Sequence, residues 1–205
     1  MTEDQAKDLL RNNLKFSDYE INQLEIFRIL LLDYNARYNL ISKSTEKTIW
    51  SRHILDSAQI MNFFNLNIKS NLVDLGSGAG FPGMIIALFN KNPKFHVKLY
   101  EKSPIKRDFL NKVKENLKIT VDIAENVYND VIDSDIIVCR AFKKIEQIIK
   151  ISRETMKKPH KIIILKGKNA QEEINSISLD RNYSYKLEQS ITDDDSKILI
   201  INVEK

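Results

Sequence analysis

The chain has 205 residues, a net charge of +4 at pH 7 and a single cysteine, so an intrachain disulfide is excluded. The charged start lacks the apolar core of a signal peptide, and no stretch approaches the roughly 20 apolar residues that span a bilayer. We therefore expect a soluble, cytoplasmic protein of one domain with an extension, which does not enter a membrane.

The first third of the sequence predicts helices. Apolar residues recur at helical spacing over 24–34, after Ser17 as a helix N-cap. A second helix is expected over 45–61, with Trp50 in the core and stacking on RNA as the alternative role for this side chain. Residues 1–68 are thus interpreted as an N-terminal helical segment that packs on the rest of the protein.

From residue 69 onward, short apolar runs alternate with amphipathic segments. The apolar runs predict strands at 72–75, 95–100, 120–124, 136–139 and 161–165. Helical patterns lie between them at 84–90, 106–117 and 143–156. Two more strands, 183–191 and 197–203, flank a polar turn. Such alternation is typical of βαβ units, so residues 69–205 predict an α/β domain with a mostly parallel sheet.

Four of the five glycines fall between Gly76 and Gly83, directly after the first predicted strand. Ligands of open α/β sheets bind at the carboxyl ends of strands, and glycine there lets a ligand reach the backbone. The pattern G-x-G-x-x-G, which starts at Gly78, would suit a dinucleotide. However, it starts two residues after Gly76, the glycine nearest the end of the strand. Residues 74–80, DLGSGAG, fit in frame the Asp and G-x-G-x-G pattern of S-adenosylmethionine sites. We predict S-adenosylmethionine as the cofactor, with a dinucleotide as the alternative.

Glu101 follows the second predicted strand. An acid at this place would accept hydrogen bonds from both hydroxyls of a ribose, as it does in dinucleotide folds. Since either cofactor contains a ribose, Glu101 does not separate them, and the choice depends on Asp74 and the glycine frame. A purely structural turn is the remaining alternative for the glycine run.

Basic residues concentrate in one part of the sequence. Residues 140–168 hold ten Lys or Arg and two acids, a local charge of +8, so the other residues sum to −4. Such clustering favours a polyanionic partner, above all nucleic acid, and a solvated helix face is the alternative.

Missing motifs narrow the acceptor of the methyl group. No two prolines are adjacent, so the Asn/Asp-Pro-Pro-aromatic loop of enzymes that methylate exocyclic amines is absent. Cys139 ends an apolar run and precedes Arg140, so we interpret it as a small core residue and not as a nucleophile. His53, His96 and His160 show no triad or metal-ligand spacing. An acceptor with a lone pair remains, such as guanine N7, which requires no general base.

Six short motifs occur in a fixed order along the chain. They are Tyr38-Asn39-Leu40, His53 to Ser57, Asp74 to Gly83, Glu101 with Lys106 and Phe109-Leu110, Arg140-Ala141-Phe142, and Leu165-Lys166-Gly167. Together they resemble the bacterial 16S rRNA guanine-N7 methyltransferases, the glucose-inhibited division protein B family, over nearly the whole chain. The glycine loop is the most specific of these motifs.

This resemblance implies a Rossmann-like, S-adenosylmethionine-dependent methyltransferase domain over residues 69–205. Its mostly parallel seven-stranded sheet is expected to include a C-terminal antiparallel strand, behind the helical segment of residues 1–68. The implied substrate is a guanine in the 530 loop of 16S rRNA, at nucleotide 527. The partner is accordingly 16S rRNA or a small ribosomal subunit particle, and we expect a monomer without a metal.

The resemblance also assigns residues to the cofactor: Asp74, Gly76, Gly78, Phe81, Glu101, Val127, Tyr128 and Arg140. Among them Glu101 is expected to hold the ribose. Val127 and Tyr128 are expected at the adenine, with Ala124 and Glu125 as the alternative register, since the Arg-x-Glu/Asp pattern common in the family is absent here.

His53, Asp56, Lys106 and Lys166 are expected at the rRNA substrate. Arg140 and Lys166 are the predicted catalytic residues, which position the substrate without acting as a base. His53 and Asp56 lie three apart on one helix face, so a simple pair or cap is the alternative for them. A solvated lysine is the alternative for Lys166. The alternative functions are a nucleotide-dependent oxidoreductase, a non-catalytic RNA-binding or assembly protein, and a methyltransferase that acts on a small molecule.

Overall fold

A seven-stranded sheet forms the centre of the protein in the computed structural model, which describes residues 1–129 and 132–204. The strands are β1 Ser70–Leu75, β2 Phe95–Tyr100, β3 Asp122–Ala124, β4 Ile136–Arg140, β5 His160–Lys166, β6 Tyr183–Gln189 and β7 Lys197–Val203. Their order is β3-β2-β1-β4-β5-β7-β6, with β7 antiparallel to both of its neighbours and the other pairs parallel. The predicted sheet is confirmed, and its order reverses between β1 and β4, where open α/β sheets bind ligands.

Helices cover both faces of the sheet. They are α1 Glu3–Asn12, α2 Asp18–Tyr38, α3 Asp56–Ala58, α4 Gly83–Phe89, α5 Pro104–Leu117, α6 Ile145–Thr155 and α7 Ala170–Asn175. Ser17 caps α2 as predicted: Glu20 donates its backbone N–H to the Ser17 hydroxyl, and the Glu20 carboxylate accepts the Ser17 N–H at 2.6 Å. α7 has no counterpart among the predicted helices, because its six residues carry too short a periodic pattern.

The chain from Lys43 to Phe63 is helical but not one regular α-helix. Beside α3 it contains 3-10 turns at Lys43–Thr48 and Gln59–Phe63 and a π-helical turn at Trp50–Leu55. Within the π turn, the Asp56 N–H bonds to the carbonyls of Ser51 and His53 and not to that of Arg52. The structure therefore differs from the regular helix predicted over 45–61. Because the π turn does not use the Arg52 carbonyl, this carbonyl is available to another donor.

The N-terminal helices share one apolar core with α4 and α5. Phe27 of α2 packs edge-on against Phe81 with ring centroids 5.4 Å apart, and lies 6.1 Å from the ring of Phe109 in α5. Trp50 is 2% exposed, with the Lys7 ammonium 4.4 Å from the centre of its ring. The prediction that Trp50 lies in the core is confirmed. The division of the chain at residues 68 and 69 stays a prediction.

The opposite face of the sheet is covered by α6 and α7. Cys139 of β4 lies on this face, buried among apolar side chains, and burial raises the pKa of its thiol. It is therefore a core residue, as expected. Within the part of the chain that the structure describes, no helix combines the length and the apolar character needed to cross a bilayer.

Gly83, the first residue of α4, is required by a close approach between the helix and the sheet. Its N–H donates to the buried carboxylate of Asp74 at 2.9 Å. A Cβ at this position would overlap the side chain of Leu99 and lie 2.7 Å from the Cβ of Asp74. The backbone of α4 therefore packs directly on β1 and β2 without room for a side chain.

We predict that Gly83→Ala lowers the free energy of unfolding by about 1–3 kcal/mol, because the added methyl group overpacks this contact. Urea denaturation monitored by circular dichroism measures the change. Gly167→Ala is the matched control, since a Cβ there meets nothing within 4 Å, and it should be neutral or stabilising by up to about 1 kcal/mol. An unfolding midpoint that is the same for Gly83→Ala and the wild type would contradict the close approach.

Candidate active site

A cavity of about 390 Å³ opens at the carboxyl ends of β1, β2 and β4, and we call it the first cavity. This volume is within the range of small-molecule sites. Eight residues predicted at the cofactor or the substrate line it: His53, Gly76, Gly78, Phe81, Glu101, Lys106, Val127 and Arg140. Sequence reasoning missed several other wall residues, among them Ile41, Tyr100, Lys102 and Phe142. Asp74 and Tyr128, predicted at the cofactor, are not among the lining residues.

Two glycines of the loop lack a side chain for different reasons, one for packing inside the protein and one for access to the backbone. Gly76 and Gly78 have left-handed backbones, with φ of +73° and +59°, which L side chains rarely adopt. At Gly76 a Cβ would also overlap the ring of Phe142, so a side chain of the protein itself makes the close approach. At Gly78 the nearest atom to a Cβ is 3.9 Å away, so this backbone stays open toward a ligand.

The Glu101 carboxylate connects the end of β2 to the glycine loop. Its Oε2 accepts the N–H of Gly78 at 2.8 Å, and its Oε1 accepts the N–H of Ser103 at 2.8 Å. Each carboxylate oxygen has two lone pairs, so both oxygens can still accept a hydroxyl proton from a ligand. This arrangement fits the predicted contact with a ribose.

Asp74 lies beneath the loop and not in the cavity wall. Side chains alternate along β1, and since Leu75 lines the first cavity, Asp74 points to the other face of the sheet. It is fully buried, and burial raises the pKa of its carboxyl to about 7. Through its bond to the N–H of Gly83, Asp74 fixes the start of α4. The structure thus shows Asp74 holding the glycine loop, and its contact with the cofactor stays a prediction.

The segment after β3 follows neither of the two predicted registers completely. Val127 is 5% exposed and lines the first cavity together with Glu125. Tyr128 is 53% exposed and does not reach the cavity, and Ala124 does not line it either. The wall takes one residue from each register because Val127 begins a short 3-10 turn that moves Tyr128 outward.

Arg140, the last residue of β4, is held by three groups from the helical stretch of residues 43–63. Its Nη1 donates to the Arg52 carbonyl at 2.8 Å and to Asp56 Oδ2 at 3.4 Å, and its Nη2 donates to His53 Nδ1 at 2.7 Å. The guanidinium carbon lies 4.8 Å from the centre of the Phe81 ring. Arg140 is thus a largely buried cation whose orientation is fixed by these contacts.

The contacts of His53 determine which of its nitrogens carries the proton. Because Nδ1 accepts from Arg140, the proton is on Nε2, which donates to the Thr45 hydroxyl at 2.9 Å. Burial lowers the pKa of His53 to about 3, and the positive charges of Arg140 and Arg52 contribute in the same direction. The ring stacks on Phe81 with centroids 4.9 Å apart. His53 is accordingly neutral at physiological pH.

Asp56 does not bond to His53 directly, and the two side chains are joined through Arg140. The Asp56 Oδ1 accepts from the Thr192 hydroxyl at 3.0 Å and from the Gln59 amide at 2.9 Å. Burial raises the pKa of this carboxyl, while the charge of Arg140 acts against the increase. Neither a simple His–Asp pair nor a cap describes the arrangement.

A second cavity of about 360 Å³ shares three wall residues with the first: His53, Arg140 and Ala141. Its other walls are Thr45, Arg52, Asp56, Leu165, Lys166, Gly167, Thr192 and Ser196. Two predicted substrate residues, Asp56 and Lys166, are therefore found here. Since Arg140 belongs to both cavities, a ligand in one lies next to a ligand in the other.

Lys166 is neither a solvated lysine nor a free cation. Its ammonium pairs with Glu173 Oε2 at 2.7 Å and donates to the Lys143 carbonyl at 3.3 Å. The other oxygen of Glu173 accepts the N–H of Ile145 at the start of α6. Lys166 and Glu173 thus brace the loop of residues 141–144, which carries Phe142.

The fold divides the basic segment of residues 140–168 between two edges of the sheet. Arg140, Lys143, Lys144, Lys166 and Lys168 lie near the carboxyl ends of β4 and β5, beside the cavities. Lys157, Lys158 and Lys161 lie beyond α6 or at the start of β5, at the opposite edge. There Lys158 pairs with Asp133 at 2.8 Å and Asp135 at 2.6 Å. The basic residues that cluster along the sequence therefore do not form one cluster in the fold, and their contact with a polyanion stays a prediction.

The fold is that of S-adenosylmethionine-dependent methyltransferases. A putative methyltransferase of this kind from Methanococcus maripaludis matches with a TM-score of 0.56 at 17% identity, covering 79% of this chain and 90% of that one. A precorrin-6y C5,15-methyltransferase from Geobacter metallireducens matches with a TM-score of 0.55 at 15% identity, covering 82% and 92%. At such identities, these likenesses show the fold alone.

The chain belongs to the rRNA small subunit methyltransferase G family, whose model matches residues 20–197. The ribosomal RNA small subunit methyltransferase G of Pelagibacter ubique is 36% identical over 190 residues, which cover 89% of this chain and 87% of that protein. The protein of the same name from Orientia tsutsugamushi strain Ikeda is 36% identical over 202 residues, covering 97% and 98%. The resemblance drawn from the six motifs is confirmed, and so is the cofactor class.

We predict that His53 stays neutral, with the proton on Nε2, from about pH 8 to pH 5. Long-range ¹H–¹⁵N NMR spectra report both the tautomer and the charge of the ring. Because the unfolded ring binds a proton near about pH 6.5, while the folded ring does so only near 3, His53 lowers stability increasingly as the pH falls below about 6.5. His53→Gln should therefore lose stability less steeply than the wild type between about pH 6.5 and pH 4. A ring that titrates above about pH 5 would contradict the Arg140 contact.

Proposed function

We propose that the protein transfers a methyl group from S-adenosylmethionine to N7 of a guanine in the 530 loop of 16S rRNA, nucleotide 527 by family naming. One observation carries this proposal: the cavity that contains Gly78 and Glu101 adjoins a second cavity across the wall of His53, Arg140 and Ala141. A donor and an acceptor can lie on the two sides of that wall. The names of the relatives, rRNA small subunit methyltransferases, supply the class of acceptor.

The residues of the first cavity fit the proposed cofactor. Glu101 would hold the ribose with its two remaining lone pairs, and Gly78 leaves the backbone open beside it. Val127 offers an apolar wall for the adenine ring. When bound, S-adenosylmethionine supplies a methyl group on a positively charged sulfur. The protein would contribute by orienting this methyl group toward the wall at Arg140.

The acceptor side suits an atom that loses no proton. His53 is neutral, and both of its ring nitrogens are engaged, with Arg140 and with Thr45. The Asp56 carboxylate is engaged by Arg140, Thr192 and Gln59. Guanine N7 carries no proton, so a site whose side chains position the base without taking up a proton is sufficient. Asp56 also offsets the charge of Arg140 beside a purine that becomes positive.

The target guanine must leave any helical stack to enter the second cavity. N7 lies on the edge of the base that faces the narrow major groove of A-form RNA, which side chains cannot enter. Lys102 and Lys106 line the first cavity, and Lys143 and Lys144 directly follow Phe142 in its wall, so these four lysines would contact the phosphates around an extruded base. We propose that the enzyme acts in the cytoplasm, as a monomer without a metal, on 16S rRNA or a small ribosomal subunit particle.

The direct test uses labelled S-adenosylmethionine with unmodified small-subunit particles, and with naked 16S rRNA in parallel. We expect the label at N7 of a single guanine in the 530 loop, mapped by cleavage at 7-methylguanosine. Since no proton leaves N7, the single-turnover rate should change less than about twofold between pH 6.5 and 8.5. A rate that climbs about tenfold per pH unit, or no transfer to either substrate, would contradict the proposal.

The lysines near the cavities should contribute to rRNA binding, whereas those at the opposite edge should not. We predict that the double variant Lys143→Ala and Lys144→Ala reduces the slope of log affinity against log salt by about 1.4–1.8, because each lost phosphate contact removes about 0.7–0.9. Filter binding at several salt concentrations measures this slope. The control, Lys150→Ala with Lys157→Ala, removes the same charge from the exposed side and far end of α6 and should leave the slope unchanged. Equal slopes for both variants would contradict the proposed contact of Lys143 and Lys144 with rRNA phosphates.

A further inference from the structure

We propose that Arg140 selects guanine over adenine by donating a hydrogen bond to O6 of the acceptor purine. This inference rests on the proposed function and adds to it the atom through which the base is recognised. Its basis is the place of Arg140 between the cavities, the hydrogen bonds that its guanidinium leaves unused, and the rigidity of its surroundings.

Arg140 lies where the methyl group must cross. It lines both cavities, so its guanidinium is next to the boundary between the donor and the acceptor. A purine whose N7 accepts the methyl group has to present N7 at this boundary. O6 is the neighbouring atom on the same edge of guanine, and it is a hydrogen-bond acceptor. Therefore O6 faces the same wall as N7.

The guanidinium has donors left for this contact. Arginine carries five N–H groups, and three of those in Arg140 point to the Arg52 carbonyl, Asp56 and His53. Within residues 1–129 and 132–204, the Nε–H and the second Nη2–H have no hydrogen-bond partner. His53, the other polar side chain of the shared wall, has both ring nitrogens engaged. Arg140 is thus the side chain of this wall that can meet O6.

Adenine would be rejected at the same point. It carries an amino group where guanine has O6, so N–H donors would face N–H donors. Arg140 cannot turn away easily, because its side chain is only 17% exposed, stacks on Phe81 and is fixed by its three partners. A polar group that is buried without a partner is costly, and this cost produces the selectivity.

The experiment compares particles that carry different purines at the target position. Small-subunit particles are reconstituted with guanosine, inosine or 2,6-diaminopurine riboside at that nucleotide, and methyl transfer is measured in single turnover. Inosine keeps O6 and lacks the 2-amino group, whereas 2,6-diaminopurine keeps the 2-amino group and lacks O6. We expect inosine to react within about fivefold of guanosine, and 2,6-diaminopurine at least about tenfold more slowly than inosine.

The outcomes separate this inference from the proposed function. Transfer to guanosine with equal transfer to 2,6-diaminopurine would overturn recognition through O6 while leaving the methyltransferase activity in place. Slow transfer to inosine with fast transfer to 2,6-diaminopurine would assign recognition to the 2-amino group and would overturn it as well. No transfer to any of the three particles would overturn the proposed function, and the inference with it.

A pair of variants ties the selectivity to Arg140. In Arg140→Gln the side-chain amide can present either its oxygen or its NH₂ group, so the rate ratio of guanosine to 2,6-diaminopurine should fall at least about fivefold, whatever the absolute rates. Arg52→Gln is the matched control, since Arg52 also lines the second cavity but is directed to Asp193. It should keep the wild-type ratio. An unchanged rate ratio in Arg140→Gln, or an equal fall of this ratio in Arg52→Gln, would overturn the role of Arg140. If Arg140→Gln is inactive, the comparison of the three purines with the wild-type enzyme decides whether O6 is recognised.

Discussion

The largely buried guanidinium of Arg140 fixes how the stretch of residues 43–63 sits on the sheet. A charge removed from water is tolerated only where hydrogen bonds and an opposite charge replace its hydration. Here all of these partners come from the stretch of residues 43–63: the Arg52 carbonyl, the Asp56 carboxylate and the His53 ring. That stretch is therefore held over the carboxyl end of β4, and both cavities take walls from it. The π turn follows from the same requirement, because it releases the Arg52 carbonyl from the helix.

Local sequence patterns were enough for the sheet and for part of the first cavity. Strand boundaries come from apolar runs, and the glycine loop with Glu101 follows directly after two of them, so their meeting at one edge is a matter of topology. The Arg140 network could not be foreseen in this way, since the partners of Arg140 lie 84 to 88 residues away along the chain and their bonds depend on how helix and sheet pack. Asp74 shows a second limit of sequence patterns. The motif indicates that this residue is needed, but the face of the sheet to which its side chain points follows from the alternation of side chains along β1.

Charge counted along the sequence is a poor guide to charge on a surface. The basic segment includes α6, which runs from the carboxyl edge of the sheet to the opposite edge before β5 begins. The lysines at its two ends therefore belong to different surroundings, one beside the cavities and one paired with Asp133 and Asp135. The crossover helix of a βαβ unit always connects opposite edges of the sheet. Any charged run that extends over such a helix is consequently split.

The glycine loop and the second cavity are joined by a second set of contacts besides Arg140. Phe142 packs where Gly76 lacks a side chain, and the loop that carries Phe142 is braced by Lys166 and Glu173. Lys166 also lines the second cavity. A chain of direct contacts therefore runs from Lys166 through the loop of residues 141–144 to Gly76. Gly76 thus has a role beyond turning the chain: its missing side chain makes room for the ring of Phe142, which lines the first cavity.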